Sequence, residues 1–124
     1  MWLPAIAAAG GAGAVVRHRV TAAVTARGTP GYYATAGLNL IGSALFGVVT
    51  GLMVRHGLPT AAFLVLTVGV CGGLTTFSTS AVETVSLARA GRVVAAAGQA
   101  LGTLAVCCAA AAAGLAAVGA WPGG

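Results

Sequence analysis

A chain of 124 residues that is 59% hydrophobic and only 6% charged, with a mean hydropathy of +1.01, cannot dress a water-soluble surface. Ordinary globular domains carry about 25% charged residues. The net charge of +5 comes from six arginines against one acid, Glu83, and the arginines are scattered without interleaved aromatics, which excludes a nucleic-acid partner. These basic residues fit loop ends facing a membrane surface. Cys71, Cys107 and Cys108 have neither metal-ligand nor redox spacing, and their apolar neighbours mark them as small buried side chains. Nothing in the chain offers a nucleophile–base pair, a metal cluster or an acidic dyad, so an enzyme is not expected.

By length the chain is one domain, residues 1–124. Hydropathy divides it into four spans, at about 2–24, 32–53, 60–88 and 93–120, each long enough to cross a bilayer as a helix. Pro30, Pro59 and Pro122 fall at or beyond span ends, where a missing amide does least harm. Tyr32, Tyr33 and Trp121 sit where an aromatic belt is expected. The opening Met-Trp-Leu-Pro lacks the basic region of a secretory signal and is assigned to the first span. Gly47 and Gly51, and again Gly98 and Gly102, have the four-residue spacing of close helix contacts.

The first span carries Gly10-Gly-Ala-Gly-Ala-Val-Val-Arg17. It is not a dinucleotide fingerprint, because Val16 holds the third glycine position and no acid follows about 20 residues on. Arg17 is open to two readings: it snorkels to the interface beside Arg19, or it serves the interior. In the second span Thr35, Asn39 and Ser43 recur every four residues and line one face, with Thr50 near it. Such a stripe should face protein or water rather than lipid. The Asn39 amide has two N–H donors that an anion could accept, or it could simply bond a neighbouring helix.

The third span contains Gly69-Val-Cys-Gly-Gly-Leu-Thr-Thr-Phe-Ser-Thr-Ser80, a poor helix for its position. Gly72 and Gly73 cost about 1 kcal/mol each relative to alanine in a helix interior. The hydroxyls of Thr75, Thr76, Ser78 and Thr79 compete for backbone partners. Irregular backbone at membrane depth survives only when protein buries it or it lines a watery cavity, and freed carbonyls at a broken span are a common ion-binding device. An ion site is expected there. Phe77, Ser80 and Glu83 share one face, as do Thr79 and Glu83. A lone phenylalanine usually packs against lipid or core, but its ring edge is positive and can meet a small anion. Glu83 at mid-bilayer would cost about 2.5–3.5 kcal/mol, so it is expected near a vestibule, close to Arg17 or Arg89.

Gly72-Gly-Leu-Thr-Thr-Phe-Ser-Thr79, followed by Glu83, resembles the third-helix signature of the small Fluc (CrcB-type) fluoride channels. The glycine-rich stretch ending in Arg17 and the segment from Asn39 through Gly42-Ser43 to Gly47 are similar to the first and second helices of the same family. The resemblance implies an all-α membrane protein of four transmembrane helices, the third broken, packed as an antiparallel dual-topology dimer in the bacterial inner membrane. It implies passive fluoride export from the cytoplasm, which relieves fluoride toxicity. On motif position it places Asn39, Ser43, Phe77, Ser78 and Thr79 on the fluoride path, with Arg17 and Glu83 in gating or electrostatic roles. It also implies a structural, untransported sodium ion on the backbone carbonyls of Gly72 and Thr75, and carbonyl oxygens suit such a hard cation.

The fourth span departs from the family: Val94 and Gly98 stand where a tyrosine and a serine usually form a polar track, and Ser80 replaces the second phenylalanine of a pair. That pattern supports an alternative, a non-conducting partner subunit that completes a heterodimeric channel. A proton-coupled multidrug-type exporter would want an acid in the first span, and that span has none.

Arginine placement leads to a prediction. With four spans, and Arg17 set aside as a candidate for an interior role, Arg19, Arg27, Arg89 and Arg92 lie toward one side, while both termini and Arg55 lie toward the other, a ratio of four to one. Lysine and arginine bias sets orientation, with the richer side cytoplasmic. A reporter fused to the C-terminus is therefore expected to be active only in the periplasm, and a chain so fixed needs a related partner of opposite bias. Equal periplasmic and cytoplasmic signals would instead establish dual insertion and an antiparallel homodimer.

Overall fold

The computed structural model describes residues 1–121, and every regular element among them is helical. Pro122, taken above as a span terminator, lies outside the described residues. Helix α1 runs Leu3–Ala26, with Pro4 in its first turn, where the absent amide has no helical partner to lose. Helix α2 runs Gly31–His56, three residues past the expected end. Arg55 and His56 close its last turn, where positive charge is favourable. Gly57 stops it at a left-handed φ of 66° that a residue with Cβ adopts at a cost.

The next helical stretch, Thr60–Arg89, is not uniform. It opens as α3, Thr60–Leu64, and widens into a π-helical segment, Val65–Cys71. There the Thr67 hydroxyl donates to Phe63 O at 2.7 Å, competing with the ladder for that carbonyl. One turn of α4, Gly72–Leu74, precedes two extended residues, and α5 then runs Phe77–Arg89. Helix α6, Val93–Gly119, completes the chain.

Among the described residues, three stretches are long and apolar enough to cross a membrane: Gly31–His56, Thr60–Arg89 and Val93–Gly119. Helix α1 has the length, but Arg17, His18 and Arg19 lower its apolarity, and it is not among them.

Small residues set the helix spacing. Cβ atoms added at Gly47 and Gly114 would strike the carbonyls of Ala111 and Ala44, so α2 and α6 touch nearly backbone to backbone. Gly51 does the same against the Val118 side chain. The Gly47 and Gly51 spacing therefore marks a real contact face, whereas Gly98 and Gly102 meet nothing within 4 Å. On the other side, α1 closes on the π segment and α4. A Cβ on Gly13 would stand 2.7 Å from Val70 O, and one on Gly73 would overlap the Gly10 carbonyl. Close approach of this kind drives helix association in lipid, where burial from water supplies nothing. The core is small (Ala34, Leu38, Val49, Cys71, Leu74, Ala96 and Val118), while Val16, Ile41, Phe46, Val68, Leu101 and Leu104 point outward. A surface so apolar is suited to a bilayer.

The α1–α4 contact is open to a direct check. Gly73→Ala forces the two backbones apart and is expected to lose about 1–3 kcal/mol of stability. Gly11→Ala, whose new methyl meets nothing within 4 Å, is expected to hold or raise stability, since alanine is the better helix former. Thermal unfolding in detergent reads both, and the reverse order would refute the packing account.

Candidate ion site

The helix from α4 does not continue into α5 because Thr75 (φ −81°, ψ 158°) and Thr76 (φ −152°, ψ 117°) are extended. In an unbroken helix the Thr76 amide would bond Gly72 O. Here it donates to Asn39 Oδ1 at 2.8 Å, and Asn39 Nδ2 donates to Thr76 O at 3.2 Å. One side-chain amide from α2 thus satisfies both backbone groups of one residue, as a neighbouring strand would. Arg17 from α1 treats the preceding residue similarly, donating from Nη1 to Thr75 O at 3.0 Å.

Each half-helix is also closed locally. The Thr75 amide and hydroxyl both donate to Cys71 O, at 2.9 and 2.8 Å, ending α4. The Thr76 hydroxyl accepts from the Thr79 amide at 3.3 Å and so caps α5. It also donates to Thr79 Oγ1 at 3.0 Å and lies 3.3 Å from Ser78 Oγ. The hydroxyl-rich motif is consumed largely in holding its own break.

A cavity of about 610 Å³ opens beside the break, lined there by Asn39, Ser43, Thr75, Thr76, Phe77 and Ser80 and on α6 by Thr103 and Cys107. Phe77 is 88% exposed on the chain's own surface, at the edge of this space. A smaller cavity of about 230 Å³ is shared by Gly42, Ser43, Thr67, Cys71, Gly72 and Thr75. A Cβ at Gly42 would overlap the Thr75 methyl, so that glycine makes room for the break.

Of the residues expected on an anion path, the structure brings Asn39, Ser43 and Phe77 to one cavity. Ser78 and Thr79 are exposed and turned to Thr76. One of the two Asn39 N–H donors is engaged, given to Thr76 O, while Oδ1 accepts from the Thr76 amide. Gly72 and Thr75, the expected sodium ligands, line the smaller cavity together.

Glu83 departs from expectation. Arg17 is committed to Thr75, and the partner of Glu83 is Thr35, whose hydroxyl donates to Oε1 at 2.8 Å. Thr35 is 2% exposed, and Glu83 Oε2 is buried without a protein partner. Arg92, rather than Arg89, shares the adjoining cavity of about 300 Å³ with Glu83. A helical hydroxyl beside the only acid relieves part of the desolvation cost of burying it. Two contributors were missed from sequence. Thr76 as a cap was legible in principle from the hydroxyl pair Thr76 and Thr79, three residues apart. Thr103, the one hydroxyl residue on α6, stands outside any polar stripe and had no signal.

Two comparisons bear on the arrangement. Residues 4–115 match the family described as CrcB-like protein, Camphor Resistance (CrcB). A Natronomonas pharaonis protein named Fluoride-specific ion channel FluC 2 is 48% identical over 101 residues, covering 82% of this chain and 80% of that protein. One from Chlorobaculum tepidum, named Fluoride-specific ion channel FluC, is 43% identical, covering 81% of this chain and 80% of its own. A third of that name, from Methylobacterium nodulans, is 40% identical over 111 residues, covering 89% of this chain and 84% of its own.

The Asn39 clamp carries its own prediction. Asn39→Ala leaves the Thr76 amide and carbonyl without partners, and stranded buried groups cost about 1–3 kcal/mol each. The variant is expected to unfold at a clearly lower temperature in detergent. An unchanged unfolding temperature would mean the clamp does not support the break.

Proposed function

The chain belongs to the CrcB-like protein family, a family of ion channels rather than enzymes, and from that premise we propose that it is a subunit of a fluoride-specific channel. The observation that carries this reading is the larger cavity beside the helix break, which Asn39, Ser43, Thr75, Thr76 and Phe77 line together. Its lining offers hydroxyls, an amide and an aromatic edge without a fixed cation. That chemistry suits passage, since an ion must bind well enough to enter and weakly enough to leave. Ser78 and Thr79 stand in the first turn of α5 and extend the hydroxyl surface. Glu83 and Arg17 set the field at the two flanks. The direction is outward and passive, in a multi-pass protein of the bacterial inner membrane, with α1 as a fourth span whose arginine is satisfied internally.

Sodium at Gly72 and Thr75 belongs to the same proposal. The residues fit: diverting the Thr76 amide to Asn39 removes the helical donor of Gly72 O, and both residues line the smaller cavity. A sodium ion there would be held by the carbonyl oxygens of Gly72 and Thr75 and would supply the positive charge those oxygens otherwise lack. The chain's own part is to hold those carbonyls through Asn39 and the Thr75 bonds to Cys71 O.

A dimer completes the reading, and one observation favours a related but different partner. Val94 is 88% exposed, Gly98 meets nothing within 4 Å, and Ser80 lines the main cavity where a second phenylalanine is expected. A heterodimeric partner could bring the missing phenylalanine and hydroxyls, with this chain non-conducting alone.

Fluoride efflux from liposomes, followed with a fluoride electrode, tests the function. Efflux is expected from this chain alone or only when a homologous chain is added, which separates homodimer from heterodimer. Ser43→Asp and Asn39→Asp each put a negative charge on the path and should cut the rate by more than about tenfold, because pore-lining charge selects the ion. Absence of efflux with and without the partner, or full efflux in both variants, would remove the reading.

A further inference from the structure

Arg17 reaches the helix break itself: Nη1 donates to Thr75 O at 3.0 Å, in a half-buried setting. A guanidinium stays charged at any working pH. Thr75 O is one of the two carbonyls assigned above to sodium, and two cations on one carbonyl oxygen would stand only a few ångströms apart. Partly shielded from water, such charges repel strongly. No carboxylate is among the break's hydrogen-bond partners to offset them, since the single acid, Glu83, is held through Oε1 by Thr35.

We propose that the Arg17 guanidinium competes with sodium for the Thr75 carbonyl, so that sodium binds fully only as Arg17 withdraws. The inference rests on the sodium reading and adds to it a residue that sets the affinity. Arg17 is thus a positioning residue. With sodium absent it satisfies a carbonyl that would otherwise be stranded, and with sodium bound the ion takes over that task. Gly72 O, whose helical donor is diverted, has no such competitor. Arg17 is half-buried on α1 rather than enclosed, and a long basic side chain can withdraw by snorkelling toward the interface.

The test uses the purified full-length protein in detergent, with thermal stability titrated by sodium chloride against N-methylglucamine chloride. Arg17→Gln removes the charge, and the sodium concentration giving half-maximal stabilisation is expected to fall at least about tenfold, the equivalent of 1.4 kcal/mol. Arg17→Lys keeps the charge and should stay much nearer the wild type. If Arg17→Gln does not fold, the wild type answers alone: nitrogen-15-labelled arginine should show the Arg17 guanidinium resonance moving with sodium at the midpoint of the stability titration. An unmoved resonance during sodium stabilisation, or an equal or weaker midpoint in Arg17→Gln, overturns the competition while leaving the sodium site standing. No sodium response in any variant removes the site and the competition together.

Discussion

The centre of this protein depends on one side-chain amide. Asn39 takes the Thr76 N–H and gives an N–H to the Thr76 carbonyl. Each unsatisfied backbone group in hydrocarbon costs several kcal/mol, so two adjacent extended residues are tenable only because protein groups stand in for the helix ladder. Arg17 does the same for Thr75. The break is therefore a property of three segments: the glycine and hydroxyl motif permits it, and α1 and α2 satisfy it.

That arrangement needs close helices. A side chain as short as asparagine reaches a neighbouring backbone only when the two helices nearly touch. Gly42 gives the Thr75 methyl room on the α2 side, and Gly10 and Gly73 let α1 lie against α4. Even the π-helical turn fits this picture, since it lies just before the break and π-bulges concentrate at functional sites. The abundance of glycine serves to place two polar side chains where the backbone has lost its partners.

The face turned away from this centre is equally informative. Few side chains are buried within one chain, and Phe77 and Val94 are each 88% exposed. An outer surface of valine and leucine is at home in lipid, and the Phe77 ring stands exposed at the edge of a cavity whose lining is mostly apolar.

Much was legible before any fold was known. Composition placed the chain in a membrane, because 6% charged residues cannot solvate a surface. Hydropathy gave the ends of the long helical stretches to within about three residues, proline and glycine marked the turns, and the third-helix motif gave the family. The i, i+4 stripe of Thr35, Asn39 and Ser43 was read correctly as facing inward, since helix periodicity is a local property. Sequence did not reveal what each polar group meets. The Asn39 amide was open to serving an anion or bonding a neighbouring helix and is bonded to Thr76, while Glu83 was expected close to Arg17 or Arg89 and is held by Thr35. Those pairings join residues 37 and 48 positions apart, and a hydrogen bond depends on a few tenths of an ångström and a donor angle. Local pattern says which face a residue occupies; only the packed helices decide which atom lies within reach.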